Sequence, residues 1–431
     1  MTESLIGFAI LLLMVFLGFP LGFAMVAVGF VGFGLVRGWE PALETVGQLI
    51  LDFAMSYSFS VLPLFVLMGA FVYRAALSED LYDASNAWLG HYKGGLAMAT
   101  VAACGGFSAV SGSSVATAAT MAKVAMPSMR RYRYNENLAA GTIAAGGTMG
   151  ILIPPSIALV IYGIIVEEDV GKLFIAGIVP GIITIALYIF VIKVLITFRP
   201  SLGPRGPWTP WKDRFLALKG VWGMIVLFLL VLGGIYLGVF TPTEAGGIGA
   251  VGAVAFAVSR RKMGWRGFCS ALIEAGQTTA MVFSVAFGAI ILSNFMNISG
   301  MPNQIVDWVN SLEIAPITVV LVICLIYIAL GCVFEGIGMI LLTVPIFFPV
   351  VQSLGFDLIW FGIVVIMVTE ISLITPPIGM NVFVLKTIMP EMSLWGIFAG
   401  ISPFFVADIV RLALIVFIPG LTLYLPSLMG G

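Results

Sequence analysis

Long runs of apolar residues follow one another along almost the whole chain, separated by short polar loops. Strands of a membrane barrel alternate apolar and polar positions, whereas these runs are continuous, so the pattern predicts helices that satisfy their own backbone hydrogen bonds in lipid. The first run has no basic leader and no small-residue cleavage site, so it is interpreted as one retained membrane helix. The clearest runs are 5–36, 44–77, 138–166, 173–198, 220–240, 245–259, 267–298, 357–385 and 394–425.

Two further apolar runs, 95–127 and 319–351, are interrupted near their centres by small and polar residues. Splitting either run there leaves helices of about 14 residues, whereas a full span needs about 20. Each run is therefore predicted to be a re-entrant helical hairpin whose tip stops near the middle of the membrane, with one long tilted helix as the alternative. The tip residues are Ser111, Gly112, Ser113, Ser114 and Thr117 in the first run, and Gly331, Glu335, Gly336 and Gly338 in the second.

A pair of consecutive prolines interrupts the apolar run that follows each predicted hairpin. Proline lacks a backbone N–H and clashes with the preceding turn, so two in succession break a helix. Irregular backbone at membrane depth is tolerated only where it is buried in protein or lines a cavity. The residues at the breaks are Pro154, Pro155 and Ser156 in 138–166, and Thr375, Pro376, Pro377 and Asn381 in 357–385.

A predicted hairpin followed by a proline pair occurs twice along the chain. Gly336, in the second hairpin, lies 224 residues after Gly112, in the first. This spacing indicates an internal duplication with halves at 1–198 and 220–431, joined by a linker at 199–219. The loop after the first hairpin is basic, whereas 352–357 contains no Lys or Arg. Equivalent loops of opposite charge character predict halves of opposite orientation in the membrane.

Basic residues orient the chain, because cytoplasmic loops carry an excess of Lys and Arg. The linker 199–219 contains five Lys or Arg residues and four prolines, and we expect it on the cytoplasmic side. The short loops near 167–172 and 241–245 are placed outside. The other residues that mark the cytoplasmic edge are Lys123, Arg130, Arg131, Arg133, Arg260, Arg261, Lys262 and Arg266.

Composition agrees with an all-α polytopic membrane protein: 61% of the 431 residues are hydrophobic, 10% are charged, and the mean hydropathy is +1.13. The net charge of −1 offers no basic field for nucleic acid. The four cysteines lie in apolar runs without CxxC spacing, which favours packing over metal binding. The single histidine, His91, cannot supply HExxH, and the chain has no P-loop, so an intramembrane metalloprotease and an ATP-driven pump are disfavoured.

Inverted repeats with broken helices are typical of secondary transporters that bind their solute near the bilayer midplane. Half-helix N-termini present unpaired N–H groups that suit a carboxylate, and unwound turns present carbonyls that suit Na⁺. Glu335, an acid at a hairpin tip, is expected to act in transport or to tie the hairpin to a neighbouring backbone. Glu370 could have a functional or a structural role, and the sequence favours neither. Asp408 is expected to form an internal ion pair with Arg411.

Five motifs in this order resemble the large membrane subunit of tripartite ATP-independent periplasmic (TRAP) transporters. The resemblance covers nearly the whole chain and includes TPTEA, which is fairly specific by itself. The motifs are SGSSVAT (111–117), GILIPPS (150–156), GVFTPTEAGGIGA (238–250), the G-x-x-x-E-G run (331–336) and ITPPIGMNVFV (374–384).

The resemblance implies Na⁺-coupled import, across the bacterial inner membrane, of a small organic acid such as a C4-dicarboxylate, sialic acid or another sugar acid. It implies two protein partners, a periplasmic substrate-binding protein and a small four-helix membrane subunit, and no cofactor besides Na⁺ as coupling ion. The two hairpins and two broken helices would carry Na⁺ and substrate and move as an elevator. Because the chain begins with the large subunit's first helix, the small subunit is expected to be a separate chain. The alternative is a carrier like the divalent-anion:Na⁺ symporters, working without a binding protein.

Overall fold

The computed structural model describes residues 2–75, 77–261, 263–332 and 334–429, and this part of the chain is helical without strands. Lys262 of the basic loop, Val333 of the second predicted hairpin and the outermost residues of both predicted halves lie outside the described residues. The α-helices are α1 (Thr2–Phe16), α2 (Leu21–Arg37), α3 (Trp39–Met55), α4 (Val61–Arg74), α5 (Leu77–Leu89), α6 (Gly95–Ser111), α7 (Ser114–Arg131), α8 (Glu136–Thr148), α9 (Ile157–Val166), α10 (Val170–Phe198), α11 (Trp211–Tyr236), α12 (Pro242–Ser259), α13 (Trp265–Ile298), α14 (Met301–Ser311), α15 (Pro316–Gly331), α16 (Gly336–Ser353), α17 (Leu358–Ser372), α18 (Met380–Ile388), α19 (Leu394–Phe417) and α20 (Gly420–Ser427).

Six helical segments of the described chain are long and apolar enough to cross a membrane. Their outward faces carry large apolar side chains such as Trp222 and Leu229, which are 59% and 62% exposed. Lipid is the solvent that such faces require. The prediction of an all-α polytopic membrane protein is therefore confirmed. The segments are Tyr57–Arg74, Val170–Phe198, Trp211–Tyr236, Trp265–Ile298, Gly336–Ser353 and Leu394–Phe417.

The first apolar run is two helices, so its interpretation as one helix, 5–36, was wrong. α1 ends at Phe16 and α2 begins at Leu21. Between them Gly18 has φ +87°, a left-handed conformation that glycine adopts without a steric penalty. Pro20 then precedes α2 with a φ of −57°, in the extended backbone that commonly starts a helix. A glycine and a proline therefore turn the chain inside an apolar run that hydropathy alone reads as continuous.

Three other boundaries also differ from the expected ones. The run 44–77 divides between Met55, where α3 ends, and Val61, where α4 begins. The run 394–425 divides at Ile418–Pro419 into α19 and α20. The linker 199–219 is irregular only in its first half, because α11 begins at Trp211, directly after Pro210. Proline cannot continue a preceding helix but fits just ahead of a new one, which explains the last two positions.

Each of the two interrupted runs is a pair of helices rather than one long helix. The first pair, α6 and α7, contains 17 and 18 residues, and the second pair, α15 and α16, contains 16 and 18. α6 lies within its apolar run and exceeds the expected 14 residues because only Gly112 and Ser113 separate it from α7. The other three arms are longer because they continue beyond the apolar runs, as α7 does to Arg131. The depth of the tips in the membrane remains a prediction.

Helices from the two predicted halves pack against each other in a reciprocal way. α7, from the first hairpin, packs against α18, which follows the second proline pair. α16, from the second hairpin, packs against α9, which follows the first proline pair. α8 and α19 approach so closely that a Cβ on Gly141 would overlap the backbone of Gly400. Each broken helix is thus covered by protein from the other half.

The TPTEA motif builds the start of α12. The Thr241 hydroxyl accepts a hydrogen bond from the Glu244 backbone N–H, and the Glu244 carboxylate accepts one from the Thr241 backbone N–H at 2.8 Å. Pro242 occupies the first turn, where its missing N–H has no structural penalty. Glu244 therefore braces the turn after α11.

An ion pair joins the first hairpin to the loop after α18. Arg130, at the end of α7, pairs with Glu391 and lies 3.1 Å from Glu136. The Arg130 guanidinium holds the pKa of the Glu391 carboxyl below its ordinary value. The expected cytoplasmic edge at Arg130 is therefore shared by residues of the second half.

Single cysteines placed in the α7–α8 loop (132–135) and in the α16–α17 loop (354–357) should react with a membrane-impermeant thiol reagent from opposite sides. The basis is the contrast between the basic first loop and the second loop, which has no Lys or Arg. The background is the chain with Cys104, Cys269, Cys324 and Cys332 replaced. Labelling of both positions from the same side would contradict the inverted repeat.

Candidate functional site

A short polar turn links the two arms of the first hairpin. Gly112 has φ +61°, which lets the chain reverse between α6 and α7. Ser113 caps α7, its hydroxyl accepting a hydrogen bond from the Ala116 N–H. The Thr117 hydroxyl donates to the Ser113 carbonyl at 2.8 Å and lies 2.7 Å from the Ser111 hydroxyl. Three hydroxyls and a carbonyl are thereby gathered at one helix N-terminus.

The first broken helix touches this tip. α8 ends at Thr148, the Pro154–Pro155 peptide bond is cis, and α9 begins after Ser156, whose hydroxyl accepts from the Leu159 N–H at 3.3 Å. Gly150 lies against the Ser113 carbonyl so closely that a Cβ would not fit. The break and the tip therefore form one continuous group of oxygens and helix ends.

The second half repeats the arrangement with different chemistry. Glu335 caps α16, its carboxylate accepting from the Gly338 N–H at 3.3 Å. Gly331 leaves no room for a Cβ against Ser372, near the end of α17. The Cys332 thiol lies 3.3 Å from the Pro376 carbonyl. The second tip thus touches the second break, as the first tip touches the first.

The two proline breaks differ in burial. Pro154 and Pro155 are buried, whereas Pro376 and Pro377 are exposed on the described chain. Beside the exposed pair, the Thr375 hydroxyl donates to the Ile371 carbonyl at 2.6 Å, so its lone pairs remain available. The second break therefore offers its oxygens to an external ligand more openly than the first.

Asn381 joins the two halves of the site. Its side-chain amide donates to the Ser114 hydroxyl at 2.8 Å and to the Ala144 carbonyl at 3.1 Å. The Ser114 hydroxyl also lies 3.0 Å from Asn381 Oδ1. Asn381 and Ser114 are both buried. The structure thus brings the first hairpin tip together with the helix that follows the second break.

The second hairpin tip is not joined to the first by any hydrogen bond among the described residues. Gly338 packs instead against Leu21 at the start of α2. The Glu335 side chain is exposed and is committed to capping α16. The predicted residues therefore form one assembly around Ser114 and Asn381, with Glu335, Gly336 and Gly338 beside it.

A cavity of about 270 Å³ lies next to the first tip. Ser111, Ser113 and Thr120 line one side of it, and residues of α4 and α13 form the opposite wall. On that wall Glu274 and Thr278 are four residues apart and share one face of α13. The cavity separates the first hairpin from α4 and α13. Its polar lining residues are Tyr73, Ser111, Ser113, Thr120, Glu274 and Thr278.

Sequence analysis missed Arg74, a cation that pairs with Glu274 of the cavity lining. Arg74 ends α4, and its guanidinium Nη2 lies 2.9 Å from Glu274 Oε2. The tips themselves contain no basic residue, so no positive charge was expected near the site. The available signal was that Arg74 is the only cation in the apolar run 44–77.

Asp408 and Arg411 form the expected internal ion pair, with Arg411 Nη2 lying 3.1 Å from Asp408 Oδ1. Glu370 joins them, since its Oε2 lies 2.8 Å from the same nitrogen. All three side chains are completely buried. Glu370 therefore contacts this pair, and the described hydrogen bonds do not connect it to the first tip.

The described residues contain no group of three or more His, Cys, Asp or Glu side chains placed to hold a metal ion. Apart from the Glu335 carboxylate, which caps α16, the oxygens described at the tips and breaks are hydroxyls and carbonyls, which are weak ligands for transition metals and suitable for Na⁺. The chemistry of the site therefore fits a weakly bound alkali cation and an anion at helix N-termini.

Residues 8–421 match the family described as the tripartite ATP-independent periplasmic transporter, DctM component. The C4-dicarboxylate TRAP transporter large permease DctM of Pseudomonas aeruginosa is 37% identical over 377 residues, covering 87% of each chain. The ectoine permease TeaC of Halomonas elongata is 30% identical over 99% of each chain, and the sialic acid permease SiaM of Vibrio cholerae is 29% identical over 100% and 99%.

The fold also matches solved membrane transporters. The YdaH transporter of Alcanivorax borkumensis superposes with a TM-score of 0.63 at 14% identity, covering 97% of this chain and 98% of that one. Such low identity shows a shared fold and nothing about the solute. The helical architecture defines a multi-pass membrane protein, and the family match and the relatives make it a transporter rather than an enzyme.

The particular family follows from the match to residues 8–421 and from the 37% identical relative. The chain belongs to the DctM family, the large permease component of TRAP transporters. It is accordingly a multi-pass protein of the inner membrane.

Replacing Asn381 with alanine should lower the melting temperature and impair uptake, because the Ser114 hydroxyl and the Ala144 carbonyl lose their buried partner. An unsatisfied buried polar group costs about 1–3 kcal/mol. Thr387→Ala is the matched control, since Thr387 is exposed on the same helix and bonds only within it. Equal melting temperatures for the two variants would show that the Asn381 link does not hold the site together.

Proposed function

We propose that this chain imports a small organic acid by Na⁺ symport, receiving it from a periplasmic binding protein and working with a separate small four-helix membrane subunit. One observation carries the proposal: the hydroxyls and the α7 N-terminus of the first tip border a cavity that is also lined by Glu274, the ion-pair partner of Arg74. Oxygens for a cation lie in the cavity wall, and the positive charge for a carboxylate lies directly behind Glu274.

Na⁺ would be held by oxygens at the tips and breaks. In the first half these are the Ser111, Ser114 and Thr117 hydroxyls and the Ser113 carbonyl, with Ser156 at the buried break. In the second half Thr375 provides a hydroxyl beside the exposed Pro376–Pro377 break. Hard monovalent cations bind such neutral oxygens where the helix is unwound.

The substrate carboxylate would lie between the N-terminus of α7 and Arg74. A helix N-terminus attracts anions through its free N–H groups. Arg74 is held by Glu274 across the cavity wall, and a substrate carboxylate would replace Glu274 as its partner. A C4-dicarboxylate is the preferred acid, because the 37% identical relative carries that substrate in its name, whereas the sialic acid and ectoine permeases are 29% and 30% identical.

Movement of the substrate would follow from the same arrangement. The hairpins and broken helices, linked through Ser114 and Asn381, would move as one body against α2, α4 and α13, with the halves 1–198 and 220–431 in opposite orientations. The cavity beside the first tip is where such a body would meet the wall. This elevator movement would present the site alternately to the two sides of the membrane.

Reconstitution tests the proposal. Proteoliposomes containing this chain and its small subunit should accumulate labelled C4-dicarboxylate only with an inward Na⁺ gradient and with the cognate binding protein outside. Equal uptake without the binding protein at micromolar solute would favour a carrier like the divalent-anion:Na⁺ symporters. Full uptake on a proton gradient in Na⁺-free buffer would contradict Na⁺ coupling. In the same assay Ser114→Ala and Thr375→Ala remove proposed ligand hydroxyls, and Ser113→Ala removes the α7 cap that orders the Ser113 carbonyl. All three should raise the Na⁺ concentration needed for half-maximal uptake, whereas Ser402→Ala, at an exposed position on α19, should not.

Arg74→Gln should raise the KM for the acid by about tenfold or more, because a charge-assisted hydrogen bond contributes about 1.5–3 kcal/mol. Arg74→Lys should recover part of the loss. Glu274→Gln removes the competing carboxylate and should leave the KM unchanged or lower it. An equal rise in KM for Arg74→Gln and Glu274→Gln would show that the pair acts only in holding α4 to α13.

A further inference from the structure

A second set of polar side chains lies where α10, α17 and α19 meet. No described side-chain hydrogen bond connects it to the hairpin tips. We call it the buried cluster: Thr184 and Tyr188 on α10, Glu370 on α17, and Asp408 and Arg411 on α19. All five side chains are fully buried in the described chain. The transport scheme above gives no role to any of them.

The cluster contains one more negative than positive group. Glu370 and Asp408 are acids, and Arg411 is the only base among them. The other helices packed against α17, namely α9, α15, α16 and α20, contain no Asp, Glu, Lys, Arg or His. Their titratable groups are the neutral Tyr162, Cys324, Tyr327 and Tyr424. With both acids ionised, an uncompensated charge would therefore be buried away from water.

The Tyr188 hydroxyl favours Asp408 over Glu370 as the ionised acid. The Tyr188 hydroxyl donates to the two carboxylate oxygens of Asp408, which lie 2.8 and 2.9 Å away. Arg411 Nη2 lies 3.1 Å from Oδ1 of the same carboxylate. Arg411 is fixed in turn by donating through Nη1 to the Thr184 hydroxyl at 2.6 Å. One hydroxyl donor and a neighbouring positive charge stabilise an anion at Asp408.

Glu370 has no such support. Its Oε2 lies 2.8 Å from Arg411 Nη2, and neither of its oxygens has a partner of good hydrogen-bond geometry. A buried carboxylate without donors is strongly disfavoured, whereas the neutral acid avoids the cost of a buried charge. A proton that neutralises the extra negative charge of the cluster is therefore best accommodated on Glu370.

From this geometry we propose that Glu370 binds one proton and that the buried cluster is neutral in the folded transporter. A metal cation is the less suitable occupant, because Arg411 Nη2 already fills the position between the two carboxylates where a bridging ion would sit. The proton lets helices of both predicted halves pack around one acid–arginine pair. The inference depends on neither the substrate nor the Na⁺ coupling.

Infrared spectroscopy tests the proton directly. The complex of this chain with its small subunit, in lipid nanodiscs at neutral pH and labelled with ¹³C-carboxyl glutamate, should show a protonated carboxylic C=O band that shifts with the label. Glu370→Gln should abolish that band, and Glu335→Gln should retain it. Absence of the band in the wild type, or its loss in Glu335→Gln, would overturn the assignment, and both measurements stand even if Glu370→Gln fails to fold.

Stability against pH gives a second readout. An unfolded glutamate ionises above about pH 4, whereas Glu370 keeps its proton in the folded chain, so the melting temperature of the wild type should fall as the pH rises from about 4 until Glu370 itself ionises. Glu370→Gln mimics the protonated acid and should lose less stability over the same range. Glu136→Gln, at an exposed carboxylate, should behave like the wild type. Identical pH dependence in wild type and Glu370→Gln, or loss of a bound ²²Na⁺ in Glu370→Gln, would contradict the proposal.

Discussion

The structure depends on the requirement that every backbone polar group within lipid finds a partner inside the protein. A helix broken by two prolines violates this requirement unless other protein covers the break. The chain meets it by covering each broken helix with a hairpin from the other half: α7 packs on α18, and α16 packs on α9. The Asn381 amide completes this exchange by satisfying the Ala144 carbonyl and the Ser114 hydroxyl across 237 and 267 residues of sequence.

This reciprocal packing of the two halves explains why the site is both polar and ordered. Oxygens at the first tip are held by local bonds, such as that from Thr117 to the Ser113 carbonyl, so they are directed before any ligand arrives. Gly150 and Gly331 have no Cβ atom, which lets each tip pack closely against its broken helix. Pre-ordered oxygens and helix ends lower the entropy lost on binding a small solute. The transport scheme follows from this order, together with the cavity beside Ser111 and Ser113.

Local chemistry made much of the fold predictable. Proline pairs, the glycine at position 112 and the small residues around Gly336 act on their own neighbours, so the helix breaks could be located from the sequence. The family could also be recognised, because its motifs are short and occur in order. Hydropathy averaged over a window was less reliable near Gly18 and Pro419, where one or two residues turn the chain without changing the apolar character of the run.

Contacts between distant helices could not be predicted in the same way. Arg74 meets Glu274 across 200 residues of sequence, and Glu370 meets Arg411 only because α17 packs on α19. No spacing rule connects such residues. The site was therefore anticipated as a set of small polar residues, whereas the Arg74–Glu274 pair beside it and its link through Ser114 and Asn381 required coordinates.

The most direct test of the account is a cryo-electron microscopy structure of the complex with Na⁺ and its acid bound, compared with one prepared in choline. The account predicts acid density in the cavity between the first tip and Arg74, with the Arg74–Glu274 pair separated, and Na⁺ density beside the hydroxyls of the first tip only in the Na⁺ sample. Acid bound elsewhere, with the Arg74–Glu274 pair intact and the oxygens of the first tip unchanged between the two samples, would contradict it.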